Sequence, residues 1–245
     1  MSQNFIVLRR GESNSLRSIA VIPQSSTPIP GYSFLVEIPL PYRQGANGFH
    51  AGNELERVYD IEEKLIEMLE SPNYIFVGHI SRPGVTTIYF YSRIQPPKEL
   101  TVKYKFLKKA VVSTECRPDS EWLFYKHELE PTKLELHSFR NQRLHDVFEK
   151  QGDNPDVSRP VDFGCLFPTK ENRAAFLAEA ESHGFKFDQA ALEENPNEPD
   201  DDYWCELVKT TSIQPDTIAQ ICVDLDDLCE KHNGEFDGWA CPVAK

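Results

Sequence analysis

The last thirty residues constrain this chain more than any other stretch. From Gln214 to Val243 they read as a long acidic helix that runs straight into a strand. Pro215 suits a first helical position, where its missing N–H costs nothing. Ile218, Ile221, Cys222, Leu225, Leu228 and Cys229 recur at i, i+3, i+4, i+7, i+10 and i+11, one apolar stripe at helical period. Asp216, Asp227 and Glu230 fall opposite the stripe, with Asp224 and Asp226 on its flanks. Asn233-Gly234 supplies the stop, because Gly tolerates the left-handed position after a helix. Glu235 to Cys241 then alternates polar and apolar, as a half-buried strand does.

The residues before this pair complete a pattern. Val161–Phe167 reads as a strand, and Thr169 caps a helix with Phe176, Leu177 and Ala180 on its core side and Gly184 at its end. Phe185-Lys186-Phe187 begins a second strand, Glu193 to Asp202 is an acidic hairpin tip, and Tyr203–Lys209 returns as a third. The order β-α-β-β-α-β predicts a ferredoxin-like sandwich, four antiparallel strands with two helices on one face.

Upstream, Phe5–Arg9, Arg17–Ile22 and Tyr32–Leu40 read as strands. A Gly-rich loop from Gly45 to Gly52 leads to Asn53, an N-cap with Glu56 three residues on. The following helix has Leu55, Val58, Ile61, Leu65, Met68 and Leu69 on its stripe. The loop lacks GxxxxGK[ST] and GxGxxG, so an ordinary connection explains it better than a phosphate cradle. Tyr74–Ile80 and Val85–Arg93 form a hairpin around Pro83-Gly84, which fits a type II turn. Glu99–Lys109 is open between helix and strand, Ala110–Cys116 alternates as a strand, and Glu121–Leu129 suits an edge strand or a short helix. Lys133–Gln151 reads as a helix. Asp153-Asn154-Pro155 and Arg159-Pro160 then form a short linker. The expected class is α+β with two domains: residues 1–152, an α/β sandwich also of ferredoxin-like type with extra strands, and residues 153–245.

Charge divides the chain at the same place. The net charge of −13 comes from 26 Lys and Arg against 39 Asp and Glu. Residues 153–245 hold 7 of those bases and 21 of the acids, the first 152 residues 19 and 18. A unit with this imbalance is a poor direct ligand for nucleic acid, whose phosphates need Lys or Arg. It suits a protein partner with a basic segment, although a merely soluble acidic domain would look the same. No apolar run approaches a membrane span, and Arg9 and Arg10 follow the first apolar run where a secretory signal would have them precede it. A cytoplasmic location, no membrane partner and six reduced cysteines are expected; the oligomeric state is open.

Reactive constellations are weak. His137 and His145 lie eight apart on a helix, where a ligand pair prefers four. His79 stands alone beside the hairpin, and no nucleophile elbow or carboxylate–His–nucleophile set is legible. The run from Glu193 to Asp202 lacks the alternate spacing and Gly of a calcium loop. No catalytic residue, cofactor or metal is assigned. Phe163, Phe167 and Tyr203 stand where RNA-recognition domains place stacking aromatics, but in acidic surroundings. Lys98, Lys103, Lys105, Lys108 and Lys109, interleaved with Tyr104 and Phe106, are the one basic-aromatic run and keep an RNA-binding adaptor open as an alternative.

Val161-Asp162-Phe163, Gly184-Phe185, the acidic hairpin, Tyr203 to Val208, the acidic helix and Asp237-Gly238-Trp239, in this order, resemble the regulator of ribonuclease E activity B family from Arg159 to Val243. Tyr74-Ile75-Phe76-Val77-Gly78, Tyr89-Phe90-Tyr91, Trp122-Leu123-Phe124-Tyr125 and Gly152-Asp153 resemble an uncharacterised bacterial domain often fused ahead of that regulator. The first resemblance implies a non-enzymatic inhibitor that binds the regulatory half of ribonuclease E and damps RNA decay. The second implies no activity, so a small-molecule or enzymatic role for the N-terminal domain stays open. Partner-binding candidates are Asp216, Val223, Asp227 and Glu230 on the helix, and Asp237 and Trp239 on the strand.

Overall fold

The computed structural model describes residues 5–10, 16–21, 27–46, 48–105, 108–188, 192 and 203–245. Strands and helices are mixed and the sheets antiparallel, an α+β chain in two units, Met1–Pro131 and Thr132–Lys245. The division falls at Pro131, not at Gly152. The linker expected there sits inside the second unit, because the helix before it packs on the acidic helix.

In the first unit β1 (Phe5–Arg10), β2 (Leu16–Val21), β3 (Phe34–Pro41), β4 (Tyr74–Arg82), β5 (Val85–Ser92) and β8 (Glu115–Pro118) form one sheet in the order β1-β2-β4-β5-β3-β8. Arg82 pairs with Val85 across the predicted turn, where Gly84 takes φ +86°. Helix α1 (Glu54–Leu69) lays Val58, Ile61, Leu65 and Leu69 on Val36, Ile38 and Leu40 of β3 and Ile88 and Phe90 of β5. Leu55 and Met68, placed on that stripe by their spacing, are exposed. The segment open between helix and strand is a hairpin, β6 (Glu99–Tyr104) with β7 (Lys108–Ser113), which adds Val102 and Val112 to the same core. A second crossover helix, which the ferredoxin-like expectation for this unit requires, is therefore not formed by this segment.

Glu121–Leu129 folds back as a single wide helical turn, Tyr125–Leu129, fixed by Asp119. That carboxylate accepts from Leu123 N–H (2.9 Å), Phe124 N–H (3.0 Å) and the Tyr91 hydroxyl (2.5 Å). Trp122 stacks on Tyr91 at 3.9 Å and donates its indole N–H to Tyr32 O at 2.8 Å.

In the second unit β9 (Arg159–Phe167) lies between β10 (Tyr203–Thr211) and β11 (Glu235–Ala240). Val161, Phe163, Cys165 and Phe167 alternate inward and are fully buried. Above them lie Phe176, Leu177 and Ala180 of α3 (Lys170–Ser182), the stripe of α4 (Pro215–Lys231), and Phe148 of α2 (Lys133–Lys150). Among the described residues the expected fourth strand is one bridge: Lys186 exchanges both backbone hydrogen bonds with Val208, at 2.9 and 2.6 Å. Phe185 turns into the core instead of extending the ladder. Three helices rather than two contribute to this core.

The stop of α4 differs in one detail from its reading. Asn233, not Gly234, takes the left-handed position, at φ +56°. Asn233 N–H donates to Glu230 O (3.0 Å) and Gly234 N–H to Cys229 O (2.7 Å), the paired closure of a Schellman motif. Gly234 is needed for room, since a Cβ there would lie 2.1 Å from the Phe167 ring.

Candidate partner-binding site

The six candidate residues occupy three environments. Asp227 and Glu230 stand on the outer side of α4, but α2 has already supplied their counter-charge. Lys133 Nζ lies 2.6 Å from Asp227, 2.7 Å from Glu230 and 3.7 Å from Asp226. Burial lowers the Lys133 pKa, and its hydrogen bonds to Asp227 and Glu230 outweigh that and raise it. His137 adds a 3.3 Å contact to Asp226. Asp216 is exposed in the first turn of α4, where the helix dipole favours a carboxylate, and Val223 is half-buried.

Trp239 faces inward from β11. Its indole N–H donates to Asn141 Oδ1 at 3.0 Å, and its ring stacks on Phe148 at 6.0 Å. Asp237, beside it, points to the opposite face. The register slips between Phe236 and Gly238, where φ is +147°, so β11 carries a bulge at this glycine.

That opposite face carries what sequence reasoning missed. Trp204 on β10 is 39% exposed. It lies over Gly164, in the middle of β9: a Cβ there would touch Trp204 Nε1 at 3.4 Å and the Asp237 Cβ at 3.7 Å, ordinary contact distances. Glu206, Glu235 and Asp237 are exposed and Asp162 half-exposed on this side. The signal was present in the sequence, since Cys205 and Leu207 inward force Trp204 and Glu206 outward. Phe163 and Phe167, considered as a stacking platform, are fully buried on the other face and cannot serve.

A groove of about 470 Å³ separates α3 from α4, with Phe185, Ile221, Leu225 and Leu228 among its walls. Its rim is internally paired: Glu179 accepts from Lys231 at 2.6 Å and contacts His232 at 2.8 Å. The Lys231 hydrogen bond, helped by that of His232, lowers the Glu179 pKa. The acidic hairpin tip from Glu193 to Asp202 lies outside the described residues.

Beneath α1 in the first unit, the buried pair Glu62 and His79 meets at 2.6 Å (Oε1 to Nδ1). On the same sheet the Ser81 and Thr86 hydroxyls lie 2.8 Å apart, and Thr86 Oγ1 is 3.2 Å from His50 Nε2. Within the basic run Lys103 faces Lys109 across the β6–β7 hairpin, and Lys105 is held by Glu56 and Asp60, each at 3.1 Å. All six cysteines are free. Contact with Cys205 and Cys229, then burial, raises the Cys165 pKa, and burial pushes Cys222 up to about 11. Thiols so disfavoured as thiolates make poor nucleophiles. Among the described residues no group of three or more His, Cys, Asp or Glu is arranged to hold a metal, and no helix is long and apolar enough to cross a membrane.

The second unit is thus an acidic antiparallel α+β domain with its helices gathered on one face and a charged, aromatic-bearing sheet face on the other. Residues 140–241 match the family described as Regulator of ribonuclease activity B, and residues 12–129 match a family of unknown function, DUF695. The second unit is thus similar to a family described as regulating ribonuclease activity, and the first to a family of unknown function. No curated protein matches the chain.

Proposed function

We propose that this chain is a non-catalytic regulator that holds a basic segment of a ribonuclease E-type endonuclease in its acidic C-terminal unit and so slows RNA decay in the cytoplasm. The match of residues 140–241 to regulators of ribonuclease activity carries the reading. Charge supports it: 21 Asp and Glu against 7 Lys and Arg in residues 153–245 draw a basic segment in and turn phosphates away. Of the sequence candidates, Asp216 and Asp237 remain open to a partner, Asp227 and Glu230 are already matched by Lys133, and Trp239 spends its N–H on Asn141. The order Lys186, β10, β9, β11 supports a ferredoxin-like frame whose fourth strand is vestigial.

The test is cleavage of a defined RNA by a full-length ribonuclease E-type endonuclease and by its isolated catalytic half, with the purified chain added. The reading expects slowing of the full-length enzyme alone. No slowing, or equal slowing of both, rejects it.

A second reading places an activity or a small-molecule site in the first unit. The buried Glu62–His79 pair, on the same sheet as the Ser81–Thr86–His50 contacts, motivates it, because polar side chains gathered inside a domain can line a site as well as pair with one another. A thermal-shift screen of metabolites against parent and His79→Gln separates the two. A stabilising ligand lost in the variant supports a site, whereas no shift with any compound leaves a structural pair. The Lys98–Lys109 run supports an RNA adaptor less well, since Lys105 is already engaged by Glu56 and Asp60.

A further inference from the structure

We infer that the open face of the C-terminal sheet is a docking surface for an arginine-bearing, extended segment, with Trp204 as its anchor. The regulatory reading above enters only in naming the protein that would carry the segment.

The seat itself is the first argument. Gly in the interior of a central strand weakens it, and such a Gly often marks a close approach. At Gly164 the backbone is not left-handed, so no turn requires glycine there. The missing side chain instead leaves the indole of Trp204 against bare backbone, with Asp237 on the other side. Leu166 pairs directly with Trp204 across β9, and Glu206 pairs with Gly164. The result is an exposed aromatic on an apolar step, bordered by carboxylates.

Charge is the second argument. Asp162, Glu206, Glu235 and Asp237 share this face, and none has an ion-pair partner among the described residues. Several acids elsewhere in the unit are matched internally, Asp227 and Glu230 by Lys133, Glu179 by Lys231 and Asp153 by Arg159, while Asp216 is exposed alone in the first turn of α4. Lys186 stands at the far edge of this side, beside Val208. Acidic charge left unmatched around an exposed indole is complementary to a guanidinium, which stacks on the ring while its N–H fork meets a carboxylate. Lysine is a compact point charge without that planar fork and fits less well. Nucleic acid could stack a base on Trp204 only by bringing phosphates among four carboxylates.

The experiment titrates the full-length chain, at low and moderate salt, with a short peptide alternating arginine and serine, its lysine counterpart, and a single-stranded RNA oligonucleotide. Calorimetry gives each affinity, and circular dichroism confirms that every variant is folded. The arginine peptide is expected to bind more tightly than the lysine peptide, and RNA not at all. Trp204→Ala should weaken peptide binding about ten-fold, on the order of one desolvated cation–π contact. Glu206→Gln with Asp237→Asn should weaken it and flatten its salt dependence. Glu149→Gln, an exposed control on α2, should leave it unchanged. Gly164→Val, which crowds the indole, should resemble Trp204→Ala. The inference is overturned if the parent does not bind the arginine peptide, if Trp204→Ala binds as the parent does, or if RNA binds and is lost in that variant. Repeating the titration with the regulatory half of a ribonuclease E-type endonuclease keeps the two claims apart. Undiminished binding by Trp204→Ala removes this surface and leaves the regulatory reading. Binding of the arginine peptide but not of the ribonuclease removes that reading and leaves the surface.

Discussion

The indole N–H of Trp239 on β11 donates to Asn141 Oδ1 on α2 at 3.0 Å, so the helix before the linker is anchored to the last strand of the sheet. Phe148, in the last turn of α2, is buried in the same core. A fragment of residues 132–245 is therefore expected to fold alone with a cooperative melt, whereas residues 153–245 lose α2 and expose Trp239, Phe236 and Cys222. Phe148→Ala in the longer fragment should cost about 3–5 kcal/mol. Denaturant unfolding of the two fragments decides this, and equal stability of both would show that α2 is dispensable.

Gly234 and Asn233 should respond unequally to substitution. A methyl on Gly234 meets the Phe167 ring at 2.1 Å and Leu166 O at 2.8 Å, and the carbonyl belongs to the central strand and cannot swing aside. Gly234→Ala should cost at least the ~1–3 kcal/mol of an overpacked core site. Asn233→Gly should be nearly neutral, because glycine takes φ +56° freely. A read-out of unfolding midpoints in which Gly234→Ala matches the parent would contradict the packing described.

Asp153 and Arg159 predict a pH dependence. The carboxylate meets the guanidinium at 2.5 and 3.2 Å, and also accepts from Ala244 N–H at 2.7 Å. The Arg159 hydrogen bond holds the Asp153 pKa below its ordinary 3.8. A depressed folded-state pKa means the stabilisation is complete above about pH 4 and is lost as pH falls through the folded value. Asp153→Asn leaves a guanidinium that is 4% exposed without its counter-charge, a change of about 3 kcal/mol at neutral pH. The gap between parent and variant should narrow below pH 4, and a constant gap from pH 7 to pH 3 would assign its cost to something other than charge.

The elements that repeat at a clean period were legible in the sequence. The stripe of α4 and the alternation of β9 each set one face toward the core, and the structure buries Ile218, Cys222, Leu225, Phe163 and Cys165 accordingly, whereas the bulge in β11 breaks the alternation there. The domain limit was not legible. A Pro- and Asp-rich stretch marks a break in composition, while the packing of α2 on α4 depends on pairs 81 or more residues apart, such as Asn141 with Cys222 and Lys133 with Asp227. The same distance hid the neutralisation of Asp227 and Glu230, which look free on a helical wheel. Trp204 was readable as outward-facing only once Cys205 and Leu207 were known to point inward.

Lys133 tests how much that neutralisation matters to folding. Asp227 and Glu230 are 61% and 62% exposed, so solvent screens the pairs strongly, and Lys133→Ala should cost under about 1 kcal/mol. High salt should shrink the difference further. By the same reasoning, Asp227→Lys with Glu230→Lys crowds three cations together and should lower stability modestly at low salt. A loss well above 1 kcal/mol for Lys133→Ala that salt does not change would show that its methylene stem, not its charge, holds α2 to α4.

The central claim is that the acidic C-terminal unit binds a basic segment of a ribonuclease E-type partner. Its most direct test is a calorimetric titration of the nuclease-treated chain with the purified regulatory half of such an enzyme across a range of salt concentrations. The account predicts binding that survives nuclease treatment and weakens steadily as salt rises. Binding that needs RNA, or no binding at low salt, would contradict it.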